Sequence, residues 1–187
     1  MVENKHIKTS IYEYIKSLNE NQVSDKIWFH GSNKPVKKFL YSLIGKNSER
    51  ITNYHGYGIY FIDSIERAKK FGDIITKVKI DENSDFLIDK ITPEQLKKIY
   101  NKFIKDGVEL LDNEHKWYNN PTYDKHSILN DVEEFYYHFI CRRYNIKDKK
   151  DVTDFLLRCG IDGMKVTNDV NDNILVVFNQ DVIKIIK

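Results

Sequence analysis

Residues 7–18 place Ile7, Ile11, Tyr14, Ile15 and Leu18 at helical spacing, with Thr9 and Ser10 near the start, and predict a short amphipathic helix. Asn19 to Asp25 is polar and reads as a linker. Ile27–His30 is a compact apolar run that predicts a strand, and Asn33-Lys34-Pro35 predicts a turn. From Ser42 to Tyr54, glycine, asparagine and serine interrupt the pattern, and a mobile loop is expected. Gly58–Ile62 is the next strand. Asp63 or Ser64 then caps a helix over Ile65–Phe71, which Gly72 ends. Ile74–Ile80 alternates apolar and polar positions, the period of a half-buried strand.

Between 92 and 159 the period changes to that of helices. Thr92-Pro93-Glu94 opens a helix whose apolar stripe is Leu96, Ile99, Tyr100, Phe103 and Ile104. Further helices are expected over Ser127–Tyr144 and Asp151–Cys159, with an aromatic and polar loop over Trp117–Lys125 before them. Three strand-like runs close the chain: Gly163–Thr167, Ile174–Phe178 and Val182–Ile186. Strands at both ends of a helical insert define an α+β fold. No Gly-rich loop joins a strand to a long helix, which excludes the Rossmann and P-loop readings.

At 187 residues the chain is long enough to bury a core as one domain, 1–187, without disulfide or metal staples. The net charge of +2 is too small to argue for nucleic acid by itself. Arginine is scarce, occurring only at 50, 67, 142, 143 and 158, so bidentate phosphate forks are few. Cys141 and Cys159 have no metal-ligand spacing and sit in apolar helical contexts, which suggests free thiols in a reducing compartment. No secretory leader and no apolar run of membrane-spanning length is visible, so a cytoplasmic protein away from membranes is expected. Heavy use of Lys, Asn, Ile and Tyr suggests an AT-rich genome, as in a low-GC bacterium, a phage or a large virus.

The chemistry concentrates in two short segments. In Trp28-Phe29-His30-Gly31-Ser32 a histidine ends an apolar run, followed by a close-approach glycine and a hydroxyl. A ligand can dock there against backbone N–H and C=O groups, although a lone histidine beside aromatics is more often a satisfied core residue. In His55-Gly56-Tyr57-Gly58-Ile59-Tyr60-Phe61 two glycines flank Tyr57 and lead into a strand. Tyr60 and Ile62 then share one strand face, Ile59 and Phe61 the other. Taken alone this segment reads equally well as a turn feeding an aromatic core strand.

Together the two segments resemble the catalytic domain of the poly(ADP-ribose) polymerase-like ADP-ribosyltransferases. In that family a His-Gly-Ser/Thr strand precedes Gly-x-Gly-Ile-Tyr-Phe, and a short helix with an aromatic residue near its end comes next. At the C-terminal end Gly160-Ile161-Asp162-Gly163 and Ile174-Leu175-Val176-Val177-Phe178 look like the family's last block. The resemblance covers roughly 27–80 and 160–187 and leaves the helical middle unmatched. It implies an ADP-ribosyltransferase-like split mixed β-sheet core with a helical N-terminal segment and a helical insert.

It also implies an NAD site. His30 would hydrogen-bond the adenosine-ribose hydroxyl, and Gly31 would hold the nicotinamide carboxamide through its backbone. Tyr60 and Phe71 would sandwich the nicotinamide ring. Ser32, Tyr57, Gly58, Phe61 and Ser64 are carried as further NAD-binding candidates, while Ala68 stands where the family often supplies a hydroxyl. At the third catalytic position, where many members have glutamate, the register places Ile174. A one-residue shift would place Asn173 there instead, with Asp172 close enough to compete. A His30-Tyr60-Ile174 set resembles the mono-ADP-ribosyltransferases, which transfer a single ADP-ribose and release nicotinamide. The implied partners are NAD and a macromolecular acceptor, a protein in preference to RNA or DNA. With such an activity a phage, viral or bacterial toxin or defence effector is expected, acting in its own or a host cytoplasm, for which an antitoxin is a candidate partner. Without the glutamate, an NAD- or ADP-ribose-binding pseudo-transferase stands as the alternative.

No metal is expected. Asp169-Val170-Asn171-Asp172-Asn173 lacks the glycine and terminal glutamate of a calcium loop and reads as a hairpin turn. His115, His126 and His138 have no ligand spacing, and Glu133-Glu134 reads as a solvated face. Trp117-Tyr118 and Tyr136-Tyr137, beside Arg142-Arg143, read as core aromatics more readily than as base-stacking platforms.

Overall fold

A computed structural model describes residues 23–44, 55–88, 91–112, 115, 119, 135–136, 140–144, 148–167 and 173–187, with the side chains of residues 141 and 142 excepted. The expected helix over 7–18 lies outside the described residues, as do most of the 42–54 and 117–125 loops and residues 169–172. His126, Glu133, Glu134, Tyr137 and His138 also lie outside them.

The protein is a mixed α+β structure built on a seven-stranded sheet of order β4-β5-β6-β2-β1-β3-β7. Its strands are β1 Trp28–Ser32, β2 Ile59–Ile62, β3 Ile74–Ile80, β4 Phe86–Ile88, β5 Gly163–Thr167, β6 Asn173–Val177 and β7 Ile183–Ile186. β4 and β5 are parallel; every other pair is antiparallel. β1 starts one residue later than its sequence pattern predicts and runs on through Ser32, because Gly31 and Ser32 pair with Ile75 and Ile74 of β3. β4 has no counterpart in the sequence reading. Its three residues, Phe86, Leu87 and Ile88, are all buried, so no alternation marks them as a strand.

Among the described residues the α-helices are α1 Ile65–Ala68, continued by a 3-10 turn over Lys69–Phe71; α2 Pro93–Lys105; α3 Ile140–Tyr144; and α4 Lys149–Arg158, with further 3-10 turns over Tyr41–Leu43 and Gln180–Val182. Ser64 is the cap of α1, its Oγ accepting from the Arg67 N–H at 3.4 Å. Thr92 and Gln95 form a reciprocal capping box on α2, with Pro93 in the first turn. Leu96, Ile99, Tyr100 and Phe103 of α2 are buried as the periodicity predicts, whereas Ile104 is half exposed and falls off the stripe. α4 starts earlier than the expected Asp151 because Asp148 caps it, accepting from the Lys150 N–H at 2.8 Å.

Two buried clusters lie on opposite sheet faces. One joins Tyr100, Phe103, Tyr136, Phe155 and Leu156 of the helical insert to Met164 and Val176 of the sheet, with Tyr60 and Ile174 packed against it. The other gathers Trp28, Phe39, Ile59, Phe61, Val78, Leu175 and Val177. Trp28 is fully buried there and its indole N–H donates to the Val23 carbonyl at 2.9 Å, so the ring is buried without a stranded donor. Asp162 ties the sequence ends of the sheet together. Its carboxylate accepts from the Asp85 N–H at 2.9 Å and the Asn179 amide at 2.8 Å. Its carbonyl accepts from the Phe178 N–H at 2.7 Å.

Candidate functional site

The two motif strands meet in one place only. Among the described residues β1 and β2 pair through Phe29 opposite Ile62, whereas β1 runs five positions alongside β3 and β2 four alongside β6. Beyond that single pair no further register pair joins the two strands, and the side chain of His30 reaches across this break, the opening: its Nδ1 lies 2.9 Å from the Tyr60 carbonyl oxygen. A carbonyl can only accept, so Nδ1 carries the proton and the neutral ring presents Nε2 as an acceptor. The Asp63 N–H turns to the Asn173 carbonyl at 3.4 Å. The alternation of an antiparallel strand then aims the Ile62 and Tyr60 amide groups at β1, and those of Phe29 and Gly31 back at β2. The backbone groups of Gly31 and Tyr60 thus lie across from one another, the Tyr60 carbonyl already accepting from His30.

Sheet register divides the side chains. Tyr60, Ile62, Ile174 and Val176 share the face covered by the helical insert, since Tyr60 opposes Val176 and Ile62 opposes Ile174. Gly31 belongs to this face and lies directly under α1, where a Cβ would sit 1.8 Å from the Ala68 carbonyl oxygen. Only glycine allows that approach. His30 lies on the other face. Its ring meets Phe39 edge-on at 5.1 Å and Phe61 at 5.8 Å. Burial among these rings lowers its pKa from 6.5, the Tyr60 carbonyl opposing the effect, which keeps the imidazole neutral near pH 7.

The Gly-Tyr-Gly turn is shaped by packing. Gly56 has φ 127°, and a Cβ there would come within 3.1 Å of the Tyr136 ring. At Gly58 a Cβ would lie 2.6 Å from Val176 Cγ1. Three hydroxyls pin the turn's backbone. The Tyr60 hydroxyl donates to the Gly56 carbonyl at 2.6 Å and accepts from the His55 N–H at 3.1 Å. The Tyr136 hydroxyl accepts from the Tyr57 N–H at 3.2 Å, and the Thr153 hydroxyl donates to the Tyr57 carbonyl at 2.8 Å. The Tyr57 ring packs edge-on against Tyr41 at 5.3 Å.

The sequence-derived residues thus divide into three groups. His30 and the Tyr60 backbone meet between β1 and β2, with Gly31 next to His30, whereas Tyr57 and Gly58 lie in the preceding turn, packed on the insert and on β6. Ile174 shares the Tyr60 face, whereas Asn173 does not: its amide donates to the Asp63 carboxylate, and its Oδ1 accepts from the Thr167 hydroxyl at 3.4 Å. The remaining candidates have other commitments or open positions. The Ser32 hydroxyl donates to the Lys34 carbonyl at 2.8 Å, and the Ser64 hydroxyl caps α1 and donates to Glu66 at 3.1 Å. Phe61, 1% exposed, is the bed on which His30 rests. Phe71 is 62% exposed at the end of its 3-10 turn, an aromatic face left to solvent.

Sequence reasoning missed Phe39, Tyr41, Thr153 and Asp154, and weighed Tyr136 only as a core aromatic or a base-stacking platform. Phe39 also lines a cleft of about 300 Å³ with Lys37, Lys38, Gln180, Asp181, Ile183 and Ile185 on the His30 face. Nothing in the local pattern of these residues marks them, because their roles come from contacts made across the sheet. Among the described residues no group of three or more His, Cys, Asp or Glu side chains is placed to hold a metal, and no described helix is long and apolar enough to cross a membrane. No protein-family model, no curated protein and no solved structure matches the chain.

Proposed function

We propose that the protein is an NAD-dependent mono-ADP-ribosyltransferase with an ADP-ribosyltransferase-like fold. One observation carries the reading: the register of β1 and β2 holds the single pair Phe29–Ile62, and beside it the motif histidine meets the backbone carbonyl of the motif tyrosine, with Gly31 next to His30. In this reading a ribose hydroxyl of NAD donates to His30 Nε2. The Gly31 backbone receives the nicotinamide carboxamide, and Tyr60 and Phe71 flank the ring. The bond between nicotinamide and the ribose anomeric carbon breaks with its electron pair leaving on nicotinamide. A nucleophile of a macromolecular acceptor then bonds that carbon and gives up its proton. Backbone dipoles at the opening favour the transition state as pre-oriented groups do elsewhere. The test is release of free nicotinamide from NAD in the presence of a cell lysate, followed chromatographically for wild type and for His30→Ala.

A second reading, an NAD- or ADP-ribose-holding protein without turnover, is favoured by Ile174. An apolar side chain stands on the Tyr60 face where a carboxylate would stabilise the oxocarbenium-like centre. Calorimetric NAD binding without nicotinamide release under any lysate condition selects it. Nuclease and protease treatment of a labelled lysate separates a nucleic-acid acceptor from a protein one.

A further inference from the structure

Tyr57 sits between the two glycines of the turn, and its backbone is held by the helical insert rather than by the strands. Tyr136 and Thr153 are both fully buried, and their hydroxyl oxygens lie 2.6 Å apart. The Thr153 proton goes to the Tyr57 carbonyl at 2.8 Å. The Tyr136 oxygen accepts from the Tyr57 N–H at 3.2 Å, and its own proton lies between the Lys149 carbonyl at 2.9 Å and Thr153 Oγ1. Two hydroxyl protons therefore serve three acceptors, and both polar groups of the Tyr57 peptide are satisfied from the insert. The next residue on α4, Asp154, accepts from the Tyr41 hydroxyl at 2.9 Å, and the Tyr41 ring braces the Tyr57 ring. One turn of α4 thereby holds the backbone and the ring of the same residue.

We propose that Tyr136 and Thr153 are positioning residues for the nucleotide site: they fix the Tyr57 peptide, and through Gly58 the start of β2, whose Tyr60 carbonyl meets His30. The proposal rests on the NAD reading above. It assigns the unmatched helical insert a task at the site, beyond covering the sheet.

The experiment uses the full chain with Thr153→Val and Tyr136→Phe, which keep shape and remove the hydroxyl, and Thr153→Ser, which restores it. Three quantities are read for each: thermal midpoint, KM and kcat for nicotinamide release from NAD, and amide hydrogen exchange of the segment containing Tyr57. The expected result is a KM raised about five- to tenfold with kcat within about twofold, as loss of one net hydrogen bond implies. Faster exchange confined to the Tyr57 segment accompanies it, and Thr153→Ser returns both values. Unchanged KM and unchanged Tyr57 exchange in variants with a lowered thermal midpoint overturn the proposal, leaving core packing only. If wild type neither binds nor turns over NAD, the NAD reading itself falls. Accelerated exchange at Tyr57 in the variants then marks a clamp with no positioning role toward NAD.

Discussion

His30 Nδ1 lies 2.9 Å from the carbonyl oxygen of Tyr60, beside the one register pair of β1 and β2, Phe29 opposite Ile62. The two residues that define the motifs are thus joined directly, through a side chain on one strand and the backbone of the other. That contact fixes the imidazole tautomer and leaves Nε2 as an acceptor.

Burial makes the contact pH-sensitive. His30 has a folded pKa below its ordinary 6.5, so the unfolded chain takes up the proton first as pH falls. The neutral ring's contribution is whole above about pH 6.5 and is lost progressively below it. Urea midpoints measured from about pH 7.5 down to about pH 5 are expected to fall more steeply for wild type than for His30→Gln. Parallel slopes would show that His30 is not buried as described.

Gly31→Ala is expected to be severely destabilising. The new Cβ would meet the Ala68 carbonyl at 1.8 Å and the Gly72 nitrogen at 3.3 Å, both of them backbone atoms. Overpacking against backbone costs about 3 kcal/mol. A chemical-denaturation midpoint near that of wild type would contradict the close approach of α1 to β1.

Register separates Ile174 from Asn173. Ile174→Glu places a carboxylate on the Tyr60 face and is expected to raise acceptor-independent nicotinamide release, by stabilising the developing positive charge. Asn173→Ala removes the contacts to Asp63 and Thr167 at the paired end of the strands. Its expected effect is a stability loss of about 1 kcal/mol and a kcat within about twofold of wild type. The opposite ranking of the two variants would place Asn173 in the cleft.

Much of the sheet was legible because its strands alternate or carry aromatic runs between clear turn residues. β3 is the clearest case, with Thr76, Val78 and Ile80 buried and Lys77 and Lys79 exposed. Phe86–Ile88 was not legible, since a short strand buried on both faces has no period to read. At the candidate site, the segments of His30, Gly31 and Tyr60 that meet across β1 and β2 stand out because their glycines and aromatics are adjacent in sequence. Tyr136 and Thr153 lie 79 and 96 residues from Tyr57, and only the packing of the insert brings their hydroxyls to it. Which of Ile174 and Asn173 shares the Tyr60 face needed the β2–β6 register, because a one-residue slip exchanges the faces.

Cys159 is expected to be inert in the folded protein. Burial pushes its thiol up to about 12, so the nucleophilic thiolate is scarce at neutral pH. Alkylation with iodoacetamide, located by peptide mass spectrometry, should modify Cys159 rapidly only after unfolding. Fast modification at this position in the native protein would contradict the burial of the end of α4.

The central claim is that the opening between β1 and β2 takes NAD and donates its ADP-ribosyl group. Incubating the full chain with adenylate-labelled NAD and a cell lysate tests it most directly. Wild type is expected to transfer label to a macromolecular acceptor in single ADP-ribosyl units, and a His30→Ala/Tyr60→Ala variant shown by circular dichroism to be folded is expected to transfer none. Equal labelling by the two proteins, or labelling by neither, contradicts the account.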